Sequence, residues 1–230
     1  MATGLKLRRM VTCSIKWVNS KQPDGKMSTR KFDQAAAGWD GKSRRVEVAS
    51  KISAAIANLP LHKKINGMEY GCGTGLVGLA LAPTLGHLTV IDTSQGMLDV
   101  VREKIESQNI SNVTAQCCDL LRDNYTQKHD LIFSAMTLHH IKDTQGLLQR
   151  FTALLNPGGY LALADLVTED GSFHGPDAEG IMHHGFDPHK LADLLTDSGM
   201  TDIKSEIIHS IDKEENNKEY PVFLLTGRKA

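Results

Sequence analysis

Apolar positions recur with a helical period in some segments of the chain and form short continuous runs in others. The first helical pattern begins near Ser43 and ends at Pro60. Short apolar runs then predict strands over residues 65–70, 88–92, 113–117, 130–134 and 160–166. Between these runs, helices are predicted to begin near Leu76, after the N-cap Ser94 and near Leu147. This alternation predicts an α/β domain with a parallel sheet covered by helices on both faces.

The C-terminal third of the chain follows a different pattern. An Asn-Pro-Gly-Gly turn at residues 156–159 is predicted before the fifth strand, and residues 167–186 form a loop rich in glycine and histidine. A helix is predicted over residues 188–198. Two further strands near 203–211 and 221–228 flank a short polar run, which predicts a terminal hairpin.

Composition is that of an ordinary globular domain. The chain has 230 residues, 40% hydrophobic and 23% charged, with a formal net charge of −1. One α/β domain accounts for this length, and no global basic field is available to hold a polyanion. No apolar run reaches membrane-spanning length. The cysteines form no Cys-x-x-Cys pair and no zinc spacing, which favours a reduced, cytoplasmic protein.

The first 31 residues differ from the rest, because eight basic residues face the single acid Asp24. They contain no long apolar core, so a secretory signal is not predicted. We expect a flexible extension, with Pro23, Asp24 and Gly25 as a turn, ahead of a single domain over residues 32–230. A start at Met10 or Met27 is an alternative. A mitochondrial transit segment is another, and it would place the protein in that organelle.

The strongest local signal is the glycine-rich segment over residues 69–75. Gly71, Gly73 and Gly75 follow a predicted strand and precede a helix, where bare backbone can approach a ligand. Gly73, Gly75 and Gly78 also satisfy the dinucleotide spacing GxGxxG, with Asp92 placed to hold a ribose. That interpretation leaves Gly71 and Glu69 unexplained.

The same segment resembles the first motif of class I methyltransferases, which use S-adenosylmethionine (SAM) and release S-adenosylhomocysteine. The motif is an acid followed by GxGxG. The resemblance implies that Glu69 helps to hold the methionine ammonium and that Asp92 accepts the ribose hydroxyls. It also implies that Asp119, after the third strand, accepts from the adenine amino group. The implied cofactor residues are Glu69, Gly71, Cys72, Gly73, Gly75, Asp92, Thr93, Met97, Asp119, Leu120, Ser134 and Trp39.

The resemblance extends from Phe32 to the C-terminus. Residues 32–40 resemble the N-terminal lid of the small-molecule branch, which includes quinone-biosynthesis methyltransferases, and Trp39 would help to close it. Residues 130–141 and 155–161 resemble the fourth strand with its turn and the approach to the fifth strand. The implied fold is Rossmann-like, with seven strands in the order 3-2-1-4-5-7-6 and the last strand antiparallel. Residues 32–60 would form the lid and first helix, and residues 167–186 a substrate loop.

Methyl transfer needs a base only when the acceptor must lose a proton, and histidine is the natural base near neutral pH. The candidates are His139, His140, His174, His183 and His184, and we select His140 as the catalytic residue. The residues expected to line or cover the substrate are His139, Phe173, His183, His184 and Phe186. No helical His-x-x-x-His with a third ligand is present, so no metal is predicted.

Three other functions stay open. A nucleic-acid or protein methyltransferase is disfavoured by the neutral charge and, for base amines, because Ser134 to Thr137 is not an Asp/Asn-Pro-Pro-Tyr/Phe element. An NAD-dependent oxidoreductase of the short-chain type would need a Tyr-x-x-x-Lys pair after the fourth strand, and no such pair follows it. A SAM-binding protein without catalytic activity is the third. We expect a small-molecule acceptor, while the sequence does not give the oligomeric state.

Overall fold

Seven strands form one sheet in the computed structural model, which describes residues 24–175 and 178–230, with side chains from residue 29 onward. The strands are β1 (Asn66–Tyr70), β2 (His87–Asp92), β3 (Val113–Cys117), β4 (His129–Ala135), β5 (Leu155–Leu166), β6 (Met200–Lys213) and β7 (Lys218–Lys229). Their order is β3-β2-β1-β4-β5-β7-β6. The first five pair in parallel, while β7 pairs antiparallel with both β5 and β6. The predicted α/β class, strand order and terminal hairpin are confirmed.

Helices lie between these strands and ahead of them. They are α1 (Asp24–Ala35), α2 (Ser43–Ile56), α3 (Gly78–Leu81), α4 (Gln95–Ser107), α5 (Thr144–Leu154) and α6 (Pro188–Asp197). Ser94 caps α4 as predicted, because its side chain accepts a hydrogen bond from the Met97 amide at 3.2 Å. The helix after the glycine segment is a single turn that Pro83 follows within a 3₁₀ turn.

The core has two layers because alternate strand residues point to opposite faces of the sheet. One layer contains Ile56 of α2 with Leu88 and Phe133, and the other contains Met68 of β1 with Phe151 of α5. All five side chains are essentially inaccessible to solvent. Burial on both faces fixes the register of the central strands. Because these strands run parallel, their carboxyl ends meet at one edge of the sheet.

Two boundaries differ from the prediction. The predicted turn at residues 156–159 lies inside β5, which begins at Leu155 directly after α5. A shift in the β4–β5 register between His129 and Leu131 accommodates the extra residues, and Gly158 adopts a positive φ of 75°. The hairpin strands are also longer than predicted, since pairing continues from Met200 to Lys229.

The N-terminal boundary requires a correction. Helix α1 begins at Asp24, so residues 24 and 25 are helical and not a turn, and the predicted boundary at residues 31–32 falls within α1. The expectations for residues 1–23 concern a segment outside the described residues. Asp33 of α1 accepts hydrogen bonds from the Ser94 hydroxyl at 2.6 Å and the Gly96 amide at 2.9 Å. Asp33 thereby places a negative charge at the N-terminus of α4, which stabilises that helix terminus and joins α1 to the sheet domain.

Within the described residues, none of the helices combines the length and the apolar character needed to cross a membrane.

The close approach of α1 to α4 predicts the effect of Gly96→Ala. A Cβ at Gly96 would lie 2.9 Å from the Cα and carbonyl oxygen of Asp33, and this backbone cannot rotate away as a side chain would. We expect α1 to lose about 1–3 kcal/mol of docking free energy. Amide hydrogen exchange over residues 29–41 should accelerate while exchange in β1–β5 is unchanged. Gly38→Ala is the control, because no atom lies within 4 Å of its Cβ position. Equal exchange rates in both variants would contradict the close packing of Gly96 against the backbone of Asp33.

Candidate cofactor and acceptor site

The glycine segment crosses the carboxyl end of β1 in a conformation that favours glycine. Gly71, Gly73 and Gly75 have φ values of 71°, 51° and 80°. The amides of Gly71 and Cys72 both donate to the Ile91 carbonyl, at 2.8 and 3.0 Å. These bonds tie the segment to the end of β2, where Asp92 is the next residue.

Gly71 and Gly73 are each required to be glycine for a different structural reason. A Cβ at Gly71 would lie 2.2 Å from Cγ2 of Thr137, so this glycine permits contact with the turn after β4. At Gly73 no atom lies within 4 Å of the Cβ position. The open space at Gly73 is where a ligand can approach the backbone. Gly73 also donates its amide to Oδ2 of Asp92 at 2.8 Å, which places that carboxylate beside the open space.

Asp92 is held in place by backbone amides on both oxygens. Its Oδ1 accepts from the Ser94 amide at 2.8 Å, opposite the bond from Gly73. Burial raises the pKa of Asp92, and the amide hydrogen bonds partly offset this effect. Each oxygen keeps acceptor capacity beyond one amide bond, so the carboxylate can accept from two hydroxyls of a ribose.

Glu69 of β1 is the second carboxyl group of the segment and is only 2% exposed. Its Oε2 has no hydrogen-bond partner among the described residues. Burial and, secondly, the nearby charge of Asp92 together raise the pKa of Glu69 to about 8, against the opposing effect of the Gly78 amide. A Cβ at Gly78 would lie 2.1 Å from Oε2, which explains this glycine without a dinucleotide.

No basic side chain forms an ion pair with either carboxyl group in residues 29–175 and 178–230. The segment therefore combines bare backbone with two acids that lack a protein cation. A buried carboxyl group without a partner is costly to ionise, and an added cation would relieve that cost. The ammonium and ribose of SAM fit these residues.

Other predicted cofactor residues lie at the same edge of the sheet with different degrees of exposure. Asp119 follows β3, accepts from the Leu121 amide at 3.0 Å and pairs with Arg122 at 3.3 Å. Burial raises the pKa of Tyr70, and the charges of Asp119 and Asp92 raise it further, so these two acids flank one region. Thr93 is exposed beside Asp92.

Four predicted side chains are buried in the structure. Met97 and Leu120 are 1% and 2% exposed, and Cys72 is buried with its thiol 3.5 Å from the Gly73 carbonyl. The Ser134 hydroxyl donates to the Tyr70 carbonyl at 2.9 Å. This hydrogen bond ties β4 to β1. That all four residues contact the cofactor stays a prediction.

The segment after α1 covers this edge and is anchored by Asp40. Its Oδ1 accepts from the Thr74 hydroxyl and its Oδ2 pairs with Lys104, both at 2.6 Å. Trp39 stacks under the Arg45 guanidinium, 3.5 Å from the ring centre. Asp33 and Asp40 cannot be recognised as anchors from the sequence, because their partners are more than thirty residues away in the chain.

Histidines form a cluster beside the glycine segment, on the turn after β4 and on the loop after β5. Nδ1 of His139 lies 2.7 Å from Oδ1 of Asp165, and both side chains are almost inaccessible. The His139 ring centre lies 4.1 Å from that of His140 and 5.1 Å from that of His174. The rings of Phe32 and His140 pack nearly perpendicular to each other with their centres 5.1 Å apart, which connects α1 to the cluster.

Electrostatics keep the outer histidines neutral. Burial and, secondly, the neighbouring His139 together lower the pKa of His140 and of His174 to about 4. Burial acts to raise the pKa of Asp165, but the interaction with His139 outweighs it, so the pKa is below its ordinary value. The cluster has no arrangement of three ligands for a metal ion in the part of the chain that the structure describes.

The remaining predicted substrate residues are distributed around this cluster. His183 is held by the Ile141 carbonyl at 2.9 Å, and its ring lies 5.1 Å from Phe186. His184 is exposed and lies 3.4 Å from Glu169. The rings of Phe173 and His174 pack nearly perpendicular to each other with their centres 4.8 Å apart. Phe173 is thus in direct contact with the cluster, whereas His184 is at the surface.

Asp165 was missed in the sequence, although a signal was present. It is the one charged residue of an otherwise apolar run in β5, over residues 160–166. An acid within a strand covered on both faces needs a buried partner. His139 is that partner.

Comparison with known proteins is consistent with this geometry. Residues 68–159 match the family model described as a methyltransferase domain. An uncharacterized methyltransferase of Schizosaccharomyces pombe is 33% identical over 149 residues, which cover 58% of this chain and 52% of the relative. A ubiquinone biosynthesis O-methyltransferase of Coxiella burnetii is 29% identical over 147 residues, 62% of each chain. The chain thus spans roughly half to three fifths of the length of these relatives.

A solved structure shares the fold over most of this chain. A putative methyltransferase of Haloferax volcanii, in complex with the Trm112 methyltransferase activator, superposes with a TM-score of 0.72 at 17% identity. The match covers 86% of this chain and 97% of that one. At this identity the likeness concerns the fold.

The pKa of Glu69 predicts an unusual pH dependence of stability. The folded chain keeps this proton up to a pH of about 8, whereas the unfolded chain releases it near the ordinary value of 4.5. The unfolded state therefore binds fewer protons between these values, and the free energy of unfolding falls as pH rises through them. Glu69→Gln is neutral throughout and removes this decline. The variant should gain on the wild type by an amount on the order of a few kcal/mol by pH 8.

Denaturant unfolding at a series of pH values measures this difference, and contributions from the histidines cancel because both proteins contain them. Glu103→Gln removes an exposed carboxylate of α4 and serves as the control. A Glu69→Gln curve parallel to the wild type at every pH would contradict the account of Glu69.

Proposed function

We propose that this chain, whose domain belongs to the class I methyltransferases, binds SAM and transfers its methyl group to a small-molecule acceptor. The observation that carries the proposal is the acid pair Glu69 and Asp92 at an open glycine segment. Neither acid has a protein cation as partner among the described residues. A ligand that brings an ammonium, a sulfonium and a ribose complements such a site.

The same observation disfavours a dinucleotide. A pyrophosphate carries negative charge and is normally held by the N-terminus of the helix after the glycine segment. Here that helix, α3, is a single turn of four residues with a correspondingly small dipole. Phosphates would also approach the two acids, and repulsion would weaken their binding.

The chain's own residues would act by holding and positioning. Gly73 leaves room for the ligand, Asp92 accepts the ribose hydroxyls, and Asp119 accepts from the adenine amino group. SAM supplies an electrophilic methyl group on sulfur, so the protein has to align the acceptor in line with it and exclude water. Alignment of this kind contributes about 7–11 kcal/mol in favourable cases.

Closure of the site would come from residues 32–60 and the loop over residues 167–186. Trp39 and Phe32 extend from the N-terminal side, and Phe173 extends from the loop. Phe32 contacts His140, and Phe173 contacts His174. The N-terminal residues and the loop therefore both reach the histidine cluster. A site bordered by aromatic and imidazole rings favours a small acceptor over a polymer.

The binding test compares two glycines with the same backbone strain. Gly73 and Gly199 both have positive φ and no atom within 4 Å of the Cβ position, but only Gly73 belongs to the site. We expect Gly73→Ala to weaken SAM affinity by at least about tenfold, or about 1.4 kcal/mol, because the methyl group occupies the ligand space. Gly199→Ala should bind SAM as the wild type does. Isothermal titration calorimetry measures both.

The same titrations include S-adenosylhomocysteine, NAD and NADP. We expect the first to bind and the two dinucleotides not to bind. Saturable NAD binding without SAM binding, or equal SAM affinity of the two alanine variants, would overturn the proposed function.

A further inference from the structure

Lys104, in the last turn of α4, directs its ammonium group at the glycine segment. Its Nζ donates to the Thr74 carbonyl at 2.7 Å and pairs with Oδ2 of Asp40 at 2.6 Å. The Thr74 hydroxyl donates to the other oxygen of Asp40 at 2.6 Å. Each of the three residues therefore contacts both of the others, although they belong to α4, to the glycine segment and to the segment after α1.

The bond from the ammonium group fixes one peptide group of the glycine segment at both ends. The Thr74 carbonyl and the Gly75 amide belong to the same planar peptide group, and that amide donates to the Cys72 carbonyl at 2.8 Å. The Cys72 carbonyl in turn shares a peptide group with the Gly73 amide, which donates to Asp92 at 2.8 Å. A chain of hydrogen bonds thus connects the lysine to the carboxylate that is proposed to accept the ribose.

The segment that carries Asp40 also contacts the other side of Asp92. Asp33 accepts from the Ser94 hydroxyl at 2.6 Å, and the Ser94 amide donates to Oδ1 of Asp92 at 2.8 Å. The amide on the opposite oxygen belongs to Gly73, which directly precedes the threonine that Asp40 holds. Docking of residues 33–40 therefore constrains both amides that hold this carboxylate.

The glycine segment needs such external support. Gly73 and Gly75 both adopt positive φ, and glycine backbone has more conformational freedom to lose than that of any other residue. Thr74 is the residue between them, and its buried side chain gives the segment a fixed attachment. A site that is held in its binding conformation before the ligand arrives binds more tightly, because less ordering is left to occur.

Charge makes Lys104 difficult to replace at this position. Arg45 is close enough to Asp40 to be influenced by its charge, but the guanidinium of Arg45 stacks on the Trp39 ring and donates to the Trp39 carbonyl at 3.3 Å. Among the residues that the structure describes, the ion pair of Asp40 is formed with Lys104. Without the lysine, this partly buried carboxylate and the Thr74 carbonyl would both lose a charged donor.

Resting on the proposed function, we propose that Lys104 is a positioning residue for SAM, which fixes the glycine segment and, through Asp40, holds residues 33–40 closed over the bound cofactor. Opening breaks the contacts of Lys104, Asp40 and Thr74 together, because each residue depends on the other two. Lys104 thereby sets how long the cofactor stays bound and has little influence on how fast it arrives.

The test measures the binding kinetics of S-adenosylhomocysteine on the immobilised full-length chain by surface plasmon resonance. We expect Lys104→Met to raise the dissociation rate constant at least about tenfold, the effect of one lost charge-assisted hydrogen bond. The association rate constant should change by less than about threefold. The control is Lys51→Met, the same substitution at an exposed position of α2, which should leave both rate constants unchanged.

A double-mutant cycle tests whether the three contacts act as one unit. Asp40→Asn alone should also raise the dissociation rate constant. The combination of Lys104→Met with Asp40→Asn should dissociate about as fast as the faster single variant, whereas independent contributions would multiply. Asp40→Asn carries the test if Lys104→Met does not fold.

Amide hydrogen exchange separates positioning from a general loss of stability. Saturating S-adenosylhomocysteine should slow exchange over residues 29–41 in the wild type and in Lys51→Met, but not in Lys104→Met. Exchange in β1–β5 should be slowed equally in all three proteins.

Dissociation from Lys104→Met at the wild-type rate, multiplied effects in the double variant, or equal ligand-induced protection of residues 29–41 would overturn the assignment of Lys104. Failure of S-adenosylhomocysteine to bind the wild type would instead overturn the proposed function.

Discussion

A buried carboxyl group without a cation is the constraint on which this site depends. Glu69 lies inside the domain, pressed against the backbone of Gly78 and next to Asp92. The charge of Asp92 raises the cost of ionising Glu69, and both acids adjoin backbone that adopts positive φ. Such an arrangement is unfavourable for the empty protein and becomes favourable when a cationic ligand enters. The fold retains this cost at the one edge where the strand order reverses and ligands bind.

The two halves of the site are connected through the junction of β1 and β4. Thr137 packs on Gly71 and donates to its carbonyl at 3.1 Å, and the following residues lead directly to the histidine cluster. Phe32 bridges from the N-terminal segment to His140, while Asp40 of the same segment holds Thr74 of the glycine segment. A shift of this segment would therefore reach the cofactor side and the acceptor side together.

Much of the fold was predictable because its signals are local. Apolar runs located the five parallel strands, and Ser94 identified the start of α4 from its side chain alone. Contacts between distant residues were not predictable in this way. Asp33 and Asp40 have the appearance of ordinary surface acids, and only the folded chain brings them to Ser94 and Thr74. The acid within β5 was visible in the sequence, yet its partner depends on how the turn after β4 passes over β5.

The central claim is that Glu69 receives the ammonium of SAM beside an Asp92 that accepts its ribose, and proton release on SAM binding tests it most directly. Calorimetric titration with SAM near neutral pH, in buffers of different ionisation enthalpy, counts the protons released. Glu69 is protonated in the free protein at this pH and would ionise beside an ammonium, so we predict release of close to one proton by the wild type and none by Glu69→Gln. Binding of SAM without proton release, or with equal release by both proteins, would contradict the account.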